Sequence, residues 1–88
     1  MTDALVIDYD VFARESRLYV MKDGKRSTCR VASDINTLAS EVIGMAQQTG
    51  IYNVKVHAPF AFIGEINRQI KKLEATTYAE NKISVEGL

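Results

Sequence analysis

His57 and Cys29 are the one histidine and the one cysteine of the chain, the scarcest of its side chains able to move a proton, attack a carbon or hold a soft metal. A lone thiol forms no intramolecular disulfide and no multi-thiolate metal site. Set within a strand-like stretch, Cys29 reads as a small buried hydrophobe. A lone imidazole titrates near neutral pH, yet it supplies neither a metal-ligand set nor the complete partner set that an activated serine needs. The five glycines are scattered, so no glycine-rich loop is formed to cradle a phosphate. No motif calls for a cofactor or a resident metal, and the expectation is a protein without either.

A second group of side chains is better suited to binding. Tyr19, Arg26, Arg30, Lys55 and Lys82 combine an aromatic ring with cations, the mixture that stacks bases and meets phosphates. Asp8, Asp10 and Glu86 are interspersed with them. Whether these residues share a surface depends on the elements that carry them.

Residues 4–10 (ALVIDYD) are apolar and β-branched and too short for a helix, so they predict a strand with the composition of a central one. Residues 17–21 and 25–32 flank Lys22-Asp23-Gly24, where Asp-Gly supplies the positive φ values of a tight hairpin. The link between the first two strands, 11–16, is long enough for a helical turn or a bulge. Ser33 and Asp34 are both suitable helix N-caps, Ile35, Leu38, Val42 and Met45 share one side of the next stretch, and Gly50 is a natural stop. Residues 52–58 alternate apolar and polar, the period of a strand with one wet face. Pro59 ends that strand and starts a helix, over which Phe62, Ile63, Ile66, Ile70, Leu73 and Thr77 form an apolar stripe from 60 to 79. Residues 82–86 (KISVE) alternate again as a last strand.

Composition limits what such a chain can be. Its 88 residues make one domain, and a domain of this size buries only about two thirds of its unfolded surface. Eleven basic and eleven acidic residues cancel, leaving no broad positive field to attract nucleic acid or an anionic membrane. The first residues lack the basic and apolar regions of a signal peptide, and no apolar run approaches membrane-spanning length. A cytoplasmic location without membrane association is the resulting expectation.

The element string β-β-β-α-β-α-β, carried by Leu5-Val6-Ile7-Asp8 and the Asp23-Gly24 hairpin, resembles the core of the ribonuclease H-like superfamily. The resemblance is one of topology and covers nearly the whole chain. It implies an α/β (α+β) two-layer fold with a five-stranded mixed sheet in the order 3-2-1-4-5. Right-handed crossovers stepping the same way then put both helices on one face. Strand alternation assigns that face Leu5, Ile7, Tyr9, Leu18, Val20, Cys29, Val31, Val54, Val56, Ile83 and Val85. The opposite face receives Val6, Asp8, Asp10, Tyr19, Met21, Arg26, Thr28, Arg30, Asn53, Lys55, His57, Lys82, Ser84 and Glu86. Larger relatives cover this second face with a further helix, whereas here the sequence ends at Leu88 and leaves it to solvent or to a partner.

Ribonuclease H-like nucleases hold two divalent cations with carboxylates on the first strand, the first helix and the end of the fourth strand. The resemblance offers Asp8, with Asp10, and Glu41 for the first two places. Val56-His57-Ala58 stands where the third carboxylate is expected, and Asp8 and Glu41 fall on opposite sides of the sheet. The expected function is therefore non-enzymatic: a small intracellular interaction protein that pairs with itself or another protein through the open face or a sheet edge. Tyr19, Met21, Thr28, Arg30, Lys55 and His57 are its expected binding surface, and its size and style fit an accessory protein of a bacteriophage or mobile element. Nucleic-acid binding is the competing reading, and a degenerate metal-dependent nuclease using Asp8, Asp10 and Glu41 the third.

Overall fold

A computed structural model describes residues 3–77 and 81–87, apart from the side chain of Thr77. Seven elements follow one another: β1 (Ala4–Asp10), β2 (Glu15–Lys22), β3 (Lys25–Ala32), α1 (Ile35–Thr49), β4 (Asn53–His57), α2 (Phe60–Thr77) and β5 (Ser84–Gly87). The strands form one sheet in the order β3-β2-β1-β4-β5. β1 is antiparallel to β2 and parallel to β4, β2 is antiparallel to β3, and β4 is parallel to β5. This is the expected two-layer α/β architecture. The last two positions of the expected second helix, 78 and 79, lie outside the described residues.

Local chemistry accounts for the boundaries. In the β2-β3 hairpin Asp23 and Gly24 adopt φ of 54° and 76°, the pair of positive values a two-residue turn with the twist of the sheet demands. The β1-β2 link is a four-residue turn over 11–14, with Arg14 at φ 54°. There Asp10 Oδ1 accepts the backbone N–H groups of Phe12 (3.0 Å) and Ala13 (3.1 Å), an Asx-type arrangement. Asp34, not Ser33, caps α1: its Oδ1 accepts from Asn36 N (2.8 Å) and Thr37 N (3.1 Å). Gly50 closes the helix at φ 74° and donates its N–H to the Ala46 carbonyl.

One core lies between the sheet and the helices. Leu5, Ile7, Leu18, Val54 and Val56 of the sheet meet Leu38 and Val42 of α1 and Ile66 and Ile70 of α2, each almost fully buried. Burying such a side chain is worth about 1.5–3 kcal/mol, so these positions dominate the stability of a small domain. Tyr9 stacks on Phe62 of α2 with ring centroids 4.4 Å apart. A buried carboxylate ties α2 to the last strand: Glu74, 2% exposed, accepts the Ile83 N–H at 2.7 Å, and Lys71 Nζ reaches both Glu74 (3.2 Å) and the Ile83 carbonyl (2.6 Å).

Strand alternation fails in one element. In β3, Ser27 pairs with Val20 and Arg30 with Leu18, so two residues, Thr28 and Cys29, stand opposite Tyr19 alone. This is a β-bulge, and Thr28 sits in it at φ 53°. Beyond the bulge every side chain changes face. Arg30 comes over to the helix side, where its Nε lies 3.9 Å from Glu41 of α1. Val31, opposite Arg17, is turned out and 58% exposed, and Cys29 is exposed instead of buried. The expected places of Arg30, Val31 and Cys29 are corrected accordingly.

Candidate functional site

The open face is built as rows of cross-strand neighbours. One row holds Arg26, Met21 and Ala4; the next holds Tyr19, Val6, Lys55 and Glu86; a third holds Val31, Arg17, Asp8 and His57. Ala4, Val6 and Tyr19 form a small second cluster, each no more than 7% exposed, with Met21 packed against it. Long neighbouring side chains cover these apolar atoms. Arg26 lies over the Tyr19 ring with its guanidinium carbon 4.0 Å from the centroid, a cation–π contact.

Tyr19 joins this cluster to the polar row. Its hydroxyl donates to Asp8 Oδ2 at 3.2 Å. Burial first, and the neighbouring Asp8 charge next, hold the phenol above its ordinary ionisation range, and Arg26 pulls only weakly the other way. The Asp8 carboxylate is therefore engaged as a hydrogen-bond acceptor. Beside it a depression of about 430 Å³ opens where β1 ends, lined by Asp8, Tyr9, Asp10, Val11, Phe12, Arg17 and Arg26.

The expected site residues divide into three groups. Asp8, Tyr19, Met21, Lys55 and His57 occupy the open face, with Asp8 and His57 directly opposed across β1 and β4. Thr28 is in the bulge at the sheet edge, and Arg30 is lost to the helix side with Glu41. Asp8 and Glu41 do not converge, and Asp10 is occupied in the turn. Among the described residues no group of three histidine, cysteine or acidic side chains is placed to hold a metal ion. Sequence reasoning missed Arg17 and Phe12. Arg17 enters through the register of the first hairpin, which sets it opposite Asp8. Phe12 carried a readable signal, a bulky aromatic in a short polar link, and it stands 99% exposed.

No protein-family model and no curated protein matches the chain. Solved structures do. A Thermus thermophilus RuvC in complex with a Holliday junction substrate aligns with TM-score 0.65 and 11% identity over 100% of this chain and 64% of its own. An Aquifex aeolicus member of the Ppx/GppA family aligns with TM-score 0.46 and 15% identity over 98% of this chain and 35% of its own. The fold is ribonuclease H-like, as the topology implied. The chain spans less than two thirds of the RuvC chain it matches, and at this identity the likeness speaks for architecture alone. Among the described residues no helix is long and apolar enough to cross a membrane.

Proposed function

We propose that this ribonuclease H-like chain is a non-catalytic interaction module that associates with a second copy of itself through the open side of its sheet. The observation that carries the reading is the dispersal of the carboxylates. Asp8 accepts from Tyr19, Asp10 caps a turn, and Glu41 faces Arg30 on the helix side of the sheet. A two-cation centre needs such groups within a few ångströms of one another. The open side, with balanced charges and apolar side chains between them, has the make-up of a protein interface.

Sheet edges are poorer candidates. β3 is broken by the bulge and carries Lys25, Arg26 and Arg30, while β5 has four residues. Bulges, charges and short strands are the devices that keep edges from pairing. Sedimentation equilibrium tests the reading: a concentration-dependent dimer is expected, and a strict monomer at the highest soluble concentration sinks it. Divalent-metal-dependent cleavage of nucleic acid that disappears in Asp8→Asn overturns the non-catalytic part.

Nucleic-acid binding stands second, on one observation. Arg17 and Arg26 both border the depression, and neither is ion-paired among the described residues. With Phe12 beside them they could meet a phosphate and a base. The RuvC structure that shares the fold is bound to a Holliday junction substrate, which makes branched DNA a suitable probe. Binding to single-stranded or branched DNA that weakens steeply with salt is its expected signature.

A further inference from the structure

Resting on the self-association reading, we propose that the second copy docks in a two-fold arrangement at the end of the sheet where β1 finishes, with Phe12 of each copy seated in the other's depression.

The exposed apolar side chains point to this end. Val11 and Phe12 follow β1, Val31 is next to last in β3, and Phe60 stands three residues beyond the end of β4. β1, β3 and β4 run the same way, so all four lie toward one end of the sheet, exposed by 56%, 99%, 58% and 93% respectively. They are the large hydrophobics most exposed to solvent in the described chain. Isolated exposed residues need no explanation, but a cluster of them does. Phe12 projects beside a hollow of about 430 Å³, so one surface carries both the knob and a space wide enough for a phenyl ring.

Charge selects the occupant. Asp8 and Asp10 border the depression together with Arg17, which stands opposite Asp8, and Arg26, with Glu15 next to them opposite Asp10. A patch that holds two carboxylates and two guanidinium groups can pair each sign with its opposite on a second copy after a half-turn, the requirement of an isologous interface. A polyanion laid on it would meet those carboxylates. Two Phe12 rings bury roughly 300–500 Å² of the roughly 1,000 Å² expected of a specific interface. Val11, Val31 and the arginine stems must supply the remainder, which places the open face in the contact. Phe60, on the helix side of the same end, is left outside it.

Sedimentation equilibrium of the wild type, Phe12→Ser, Arg17→Glu and Phe60→Ser tests the arrangement. Phe12 and Phe60 are both almost fully exposed, so neither serine variant removes a folding contact. Dimer affinity weakened at least about tenfold in Phe12→Ser and Arg17→Glu, with Phe60→Ser matching the wild type, is the expected result. A wild-type dimer untouched by Phe12→Ser, or weakened equally by Phe60→Ser, overturns this docking mode and leaves self-association standing. A monomeric wild type overturns both.

Discussion

Tyr19 is the side chain through which most of the open face is organised. It closes the small apolar cluster, donates to Asp8 and lies under Arg26. Its hydroxyl is held above the ordinary tyrosine range of about 10 by burial and then by Asp8. The fold favours the neutral phenol, so this contribution is complete below the ordinary value and is lost as pH rises from there through the raised one. Ultraviolet titration of the phenols is expected to show one group ionising above the ordinary tyrosine range. In Tyr19→Phe that late step disappears, and the alkaline loss of stability becomes shallower. Persistence of the late step in the variant would assign it to another tyrosine. The same environment explains why Asp8, the residue most tempting as a metal ligand, is better described as an acceptor within a polar row.

At the scale of elements, the bulge in β3 decides which residues the site can contain. One extra residue opposite Tyr19 moves Arg30 to Glu41 and turns Val31 outward. The exposed pair with Glu41 at 3.9 Å is worth at most about 1 kcal/mol, so the exchange serves placement more than stability. Thr28 holds φ 53°, a conformation that costs a non-glycine residue about 1–2 kcal/mol, and a branched Cβ adds to the crowding. Thr28→Gly removes that strain while adding about 0.5–1 kcal/mol of unfolded-chain entropy. The net expectation is a gain of about 0.5–1 kcal/mol, read as a higher denaturant midpoint at unchanged slope. An unchanged or lower midpoint would show that the bulge holds Thr28 without strain.

The whole molecule is a small two-layer domain with one helix-covered face and one bare one, so its stability leans on any surface it can cover. If a second copy docks on the open side, folding and association are linked, and the melting temperature rises with protein concentration. That rise is expected for the wild type and absent in Phe12→Ser, as followed by circular dichroism over a range of concentrations. A melting temperature independent of concentration in both proteins would count against the dimer. The carboxylates lead to the same scale: Asp8 faces the open side of the sheet and Glu41 belongs to the helix layer, so the sheet itself stands between them.

The sequence by itself determined the elements and their order. Asp23-Gly24 dictates the β2-β3 hairpin, Ser33 or Asp34 and Gly50 bound α1, and the 3.6-residue and two-residue periods separate helices from strands, because each signal acts within a few neighbouring residues. The resemblance to the ribonuclease H-like core then implies the 3-2-1-4-5 sheet, right-handed crossovers put both helices on one face, and strand alternation places Asp8 and Glu41 apart. Only the tertiary structure decided how β3 meets β2. No local residue type announces a bulge at Thr28, since its cost is met by pairing on both sides of it, and that pairing sends Arg30, Cys29 and Val31 to faces opposite those alternation assigns. Arg17 and Phe12 came to the site in the same way. The register of β1 on β2 and the shared direction of β1, β3 and β4 bring together residues that nothing in their local sequence joins.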